Sequence, residues 1–142
     1  MLKIHHVGVF VTSIDEFKKI FSNNFIIEKK TKKILDKVLK VKLQFIRFKG
    51  NNQLFEIVEP YGNDSPVQKI LDQKKSVLNH IAFISSKFDR DIEKLLSEGF
   101  YPLTKKLDSK YFNSKIVFLM SPFNFIVEII DNDKNRKIKK KR

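Results

Sequence analysis

The sequence contains no cysteine, which removes disulfide frameworks, thiol nucleophiles, thiolate-bound metals and iron–sulfur clusters at once. Any metal would have to be held by histidine, carboxylate or amide oxygen. Long hydrophobic runs are missing as well. Phe125-Ile126-Val127 stops at Glu128, far short of the roughly 20 residues of a membrane span. No signal-peptide core opens the chain, so a soluble, cytoplasmic protein with no membrane partner is expected. Acidic residues are scarce, 16 against 29 lysines and arginines, for a formal net charge of +13. Seven of the cations lie in Lys134–Arg142, and 13 minus 7 leaves +6 for the rest of the chain. Such a run reads as a solvated, disordered tail, and nucleic acid is not expected as a partner beyond non-specific contact with it. What is present is a globular composition, 42% hydrophobic with 14 phenylalanines in 142 residues, sufficient for one compact domain.

An internal repeat organises that domain. His6-Val7-Gly8-Val9-Phe10-Val11-Thr12-Ser13-Ile14-Asp15 can be laid over His80-Ile81-Ala82-Phe83-Ile84-Ser85-Ser86-Lys87-Phe88-Asp89, an offset of 80 minus 6, or 74 residues. Each copy reads as a strand, a polar turn and a helix start. Ser13 to Glu16 has the spacing of a capping box, and Phe17, Ile20 and Phe21 supply an apolar stripe. In the second copy Phe88, Ile92, Leu95 and Leu96 form the stripe and Gly99 is placed to end the helix.

Strand-like segments follow each helix: Ile26-Ile27, Val38 to Phe48 and Leu54 to Val58, then Tyr101 to Leu103, Ile116 to Met120 and Phe125 to Ile130. Each half is therefore a βαβββ module. Between them Ser65, Pro66 and Gln68 predict a short helix with Ser65 as its N-cap. The expected organisation is a single α+β domain over residues 1–131, with module one at about 1–62, a linker helix at about 65–75 and module two at about 76–131, then the basic tail at 132–142. Two half-covered sheets would pack together and leave a concave side.

Four ionisable residues interrupt the apolar strands at repeated positions. His6 and His80 lie in the first strand of each half, and Glu56 and Glu128 lie in the last, 50 and 48 residues later. Period-2 geometry puts Glu56 on one face with Leu54 and Val58, and Glu128 with Ile126 and Ile130. A single histidine in an apolar strand is more often structural than a ligand, and a single strand glutamate more often faces water. Duplication at corresponding positions carries more weight. Two imidazoles and two carboxylates converging on a divalent cation would offset one another's burial, and the set suits Zn, Ni, Co, Mn or Fe(II) without choosing among them. His5 points to the opposite face from His6 and reads as structural or exposed; Glu59, opposite Glu56, should be solvated.

These residues resemble the vicinal oxygen chelate (glyoxalase) superfamily, and within it the group around methylmalonyl-CoA epimerase and short glyoxalase-like proteins. The resemblance covers about residues 2 to 131 and rests on His5-His6-Val7-Gly8-Val9, Glu56-Ile57-Val58-Glu59-Pro60 followed by Asp64-Ser65-Pro66-Val67, His80-Ile81-Ala82-Phe83, and Ile126-Val127-Glu128-Ile129. It implies two βαβββ modules in a cupped mixed sheet around one divalent metal held by His6, Glu56, His80 and Glu128. A carboxylate at Glu56 implies the isomerase, epimerase and lyase branch and not the dioxygenases. The shared chemistry is removal of a proton next to a metal-polarised carbonyl, with Glu128 as first candidate base and Glu56 as second.

The leading expectation is epimerisation of a 2-substituted acyl thioester. Isomerisation of a hemithioacetal, as by lactoylglutathione lyase (glyoxalase I), comes next. The small-molecule partner would accordingly be an acyl-CoA or a glutathione adduct, and the resemblance leaves room for a homodimer. The rival from another class is a ligand-binding or resistance module on the same fold, against which stands the retention of both His and Glu pairs.

Overall fold

The structure, a computed structural model, describes residues 2–73 and 78–132. Its elements are β1 (Leu2–Phe10), α1 (Ile14–Phe21), β2 (Ile27–Lys30), β3 (Ile34–Asp36), β4 (Val41–Phe48), β5 (Leu54–Pro60), α2 (Pro66–Asp72), β6 (Leu78–Ser85), α3 (Phe88–Ser97), β7 (Tyr101–Pro102), β8 (Leu107–Ser109), β9 (Ser114–Met120) and β10 (Ile126–Asp131). The described residues divide into two compact units, one within residues 6–79 and one made of residues 2–5 with 80–132. Among the described residues no helix is long and apolar enough to cross a membrane.

In the first unit the strand order is β2-β4-β5-β1, with β3 added beside β4. β1 runs parallel to β5, while β4 is antiparallel to β5, β2 and β3. In the second unit the order is β7-β9-β10-β6, with β8 beside β9, and β6 is parallel to β10. The halves thus share one topology, and the fold is a mixed-sheet α+β fold as the repeat predicted.

One side of each sheet is covered by its own helix. Ile14 and Phe17 of α1 pack on Val9, Ile46, Phe55 and Ile57, all on one face. Phe88 and Ile92 of α3 pack on Val117, Leu119, Val127 and Ile129, with Leu2 at the margin. Helix α1 starts as its sequence demands, since Ser13 Oγ accepts the Glu16 N–H. Glu59 supplies a second cap: its Oε2 accepts the Ile14 N–H at 2.9 Å. The expectation that Glu59 is merely solvated is therefore corrected. It is half-buried because a strand carboxylate on the helix side meets the positive end of α1.

Other local expectations need revision. Val38 is exposed and precedes the strand, which begins at Val41. Asp36 Oδ1 accepts the N–H groups of Val38 and Leu39, and the turn this makes separates a short unforeseen strand, β3, from β4. β8 is its unforeseen counterpart, closed by the Phe112 N–H on Ser109 Oγ. Helix α2 begins at Pro66 after Ser65, but Ser65 makes no side-chain cap, and Gln68 donates to Asp72 instead. It ends at Asp72; residues 74–77, over which the linker helix was expected to finish, lie outside the described residues, as does the tail from residue 133. Asn132 is held by its N–H on the Ser85 carbonyl.

Candidate metal centre

The face of each sheet that carries no helix presents the four singled-out residues. In the first unit His6, Gly8 and Phe10 stand beside Leu54, Glu56 and Val58, and Glu56 in turn stands beside Phe45. In the second unit His80 and Ala82 stand beside Ile126 and Glu128, and Glu128 beside Phe118. The alternation of the strands puts Val9, Ile57 and Ile46, or Phe83, Ile129 and Val117, on the helix side and leaves these rows on the other.

Within each unit the histidine and glutamate meet. His6 Nε2 lies 3.7 Å from Glu56 Oε2, with the His6 side chain fully buried and that of Glu56 at 12% exposure. His80 Nε2 lies 3.1 Å from Glu128 Oε2, and both are almost fully buried. A small residue makes this reach possible. The neighbour of Glu56 on β1 is Gly8 and that of Glu128 on β6 is Ala82, so the carboxylate can lean along the strand toward the imidazole two residues earlier.

An aromatic ring completes each row. Phe45 meets the His6 ring edge-on at 5.1 Å between centroids, and Phe118 meets His80 in the same way at 5.6 Å. Each unit therefore carries the same trio of histidine, glutamate and phenylalanine. Phe45 and Phe118 were missed in the sequence, although their matching positions opposite the two glutamates were available as a signal once the register was known. His5 is half-buried with its ring edge-on to Phe112 at 5.2 Å, in keeping with a structural role.

Buried carboxylates and imidazoles in contact are a donor set that a divalent ion can use, because both are ligands in their deprotonated forms and neither requires a thiolate. Such ligands lie buried side by side in each unit, His6 with Glu56 in the first and His80 with Glu128 in the second.

The sequence matches the glyoxalase/bleomycin resistance protein/dioxygenase superfamily over residues 5–118. The chain belongs to that superfamily. Among curated proteins it is 26% identical to the uncharacterized protein YqjC of Bacillus subtilis over 122 residues, covering 86% of this chain and 84% of that protein. Proteins of known structure share the fold at low identity. The methylmalonyl-CoA epimerase of Mycobacterium tuberculosis superposes with a TM-score of 0.75 at 16% identity, over 95% of this chain and 91% of that one. A Streptomyces coelicolor methylmalonyl-CoA epimerase variant in complex with 2-nitronate-propionyl-CoA superposes with a TM-score of 0.72 at 19% identity, over 93% and 95%. At these identities the likeness establishes the fold alone.

Proposed function

We propose that the chain is a divalent-metal-dependent enzyme that removes the proton next to a carbonyl, and that it epimerises a 2-substituted acyl thioester. The observation that carries this reading is the duplicated buried pair, His6 with Glu56 and His80 with Glu128, at 3.7 and 3.1 Å. Groups of this kind cost folding energy when taken from water, so matching pairs in matching rows argue for a ligand that uses them. His6, His80 and Glu128 would hold the ion, with Glu56 as the fourth ligand. When bound, such an ion supplies Lewis-acid polarisation of the substrate carbonyl and stabilises the enolate.

The protein's own contribution is a proton acceptor at a fixed place. Glu128 takes the proton from the carbon next to the carbonyl onto a carboxylate oxygen, and His80 at 3.1 Å orients that carboxylate. Glu56 is the second carboxyl group: it must enter the step carrying a proton and gives it to the carbon on the other face as Glu128 takes one, so that one carboxyl gains the proton the other loses and the centre inverts. Phe45 and Phe118 keep water from the imidazoles. The structural likeness to methylmalonyl-CoA epimerases supports the thioester. A cytoplasmic location and an acyl-CoA partner go with it.

The test is solvent exchange. Metal-loaded protein given methylmalonyl-CoA in deuterated water should place deuterium at the 2-position, and Glu128→Gln should lose about 10²–10⁴-fold of that rate, with metal content measured on the same sample. A hemithioacetal isomerised in place of thioester exchange would move the assignment to lactoylglutathione lyase chemistry. If metal is bound and neither reaction takes place, proton abstraction is refuted and the ligand-binding reading gains.

A further inference from the structure

The two units repeat the same histidine, glutamate and phenylalanine rows and differ in charge at one position of the row that leads away from the histidine. In the second unit the row through His80 continues to Ile126 and Met120. In the first, the row through His6 continues to Leu54 and then Arg47. Two strand spacings separate Arg47 from His6, about 10 Å between backbones, and an arginine side chain spans most of that distance. Arg47 stands on the His6 and Glu56 face of its sheet with its side chain only 19% exposed.

The guanidinium is anchored at one end, and one of its buried N–H groups has no acceptor. Nη1 donates to Asn52 Oδ1 at 3.0 Å. Nη2 lies 3.7 Å from Glu28 Oε2, a Coulombic contact beyond hydrogen-bond length. Nε is buried and has no hydrogen-bond partner among the described residues. Nε and Nη2 are the side-on fork of an arginine, whose two parallel N–H groups match the two oxygens of a carboxylate. A buried N–H without an acceptor is a standing cost that a bound acceptor removes. Glu28 beside the fork opposes a dianionic phosphate more strongly than a singly charged carboxylate.

We propose that Arg47 is a specificity residue that receives a carboxylate of the substrate on its Nε and Nη2 edge. Resting on the reading of the site as a proton-abstracting centre, this deepens it: the acyl group carries an anionic carboxylate, and that end lies toward Arg47 in the first unit, where the second has only Met120. The orientation it imposes is one reason an otherwise duplicated site would take its substrate in one direction.

The probe is malonate, with its neutral diamide, malonamide, as control. Malonate added to the purified protein should shift the Arg47 Nε–H signal in ¹⁵N–¹H spectra, identified by its loss in Arg47→Lys. Malonate should bind Arg47→Gln about ten- to hundredfold more weakly, the range for charge-assisted hydrogen bonds, while malonamide binds both proteins alike. Arg47→Lys, which keeps the charge and the stem but not the fork, should recover only part of the loss. In the exchange assay Arg47→Gln should raise KM for methylmalonyl-CoA by a similar factor with kcat little changed. An unmoved Nε–H signal, or equal malonate affinity in wild type and Arg47→Gln, would overturn the assignment while leaving metal binding and exchange intact. Absence of exchange in the wild type, with malonate still bound through Arg47, would instead refute the proton-abstraction reading alone.

Discussion

Replacing His80 by leucine in metal-free protein isolates what the second pair costs the fold. Glu128 is only 4% exposed, and the substitution takes away the imidazole 3.1 Å from its carboxylate. Removing one partner of a buried pair costs about 3–5 kcal/mol, because the remaining charge stays in low-dielectric surroundings. Replacing both, His80→Leu with Glu128→Leu, puts aliphatic side chains beside Ile126, Ile130 and Phe118 on the same face. That double variant should lie within about 1 kcal/mol of wild type or above it, since apolar replacements of buried pairs are often neutral or stabilising. The double-mutant cycle should therefore show a coupling of at least about 2 kcal/mol. The first pair is longer, at 3.7 Å, with Glu56 partly exposed, so His6→Leu should cost about 1–3 kcal/mol. Urea unfolding of EDTA-treated protein, followed by far-UV circular dichroism, measures wild type, the double variant and the single variants His80→Leu, Glu128→Leu and His6→Leu. If the two single losses simply add in the double variant, each residue stabilises the fold independently of the other, and the argument that the pair is retained for a ligand fails.

Gly8→Val places a branched side chain beside Glu56 and should weaken metal binding about 10–100-fold, the range for changes that misorient a ligand; unchanged affinity in a metal titration would show that the space is unimportant. The Asp64 carboxyl is held below its ordinary value of 3.8 by a hydrogen bond from Lys40, and that of Asp15 likewise by Lys33. A lowered folded-state value contributes stability above the unfolded value that is lost as pH falls through the folded one. Acid titrations of Asp64→Asn and Asp15→Asn should accordingly show a smaller fall in stability below about pH 4 than wild type, and parallel curves would contradict the assignment.

The repeat was legible because it is local: a histidine-led apolar strand, a polar turn and an amphipathic helix recur 74 residues apart, and each glutamate breaks an apolar alternation. What escaped depends on contacts distant in sequence. No local pattern announces that Glu59 will meet the Ile14 N–H, 45 residues earlier. Phe45 and Phe118 look like two of 14 phenylalanines until strand register puts each opposite a glutamate. The short strands β3 and β8 follow from turns closed by Asp36 and Ser109 side chains, with Lys40 and Asn113 at positive φ, and three-residue strands carry too little alternation to be read. Arg47 carries no sequence signal of its own; only the buried Nε and the contrast with Met120 set it apart.

Elemental analysis of the purified protein tests the central claim most directly. The account predicts about one divalent ion per chain, and none above background in the His6→Ala/His80→Ala double variant, with the far-UV spectrum retained. Full occupancy in that variant, or a wild-type protein that binds no divalent ion at any concentration tried, would contradict it.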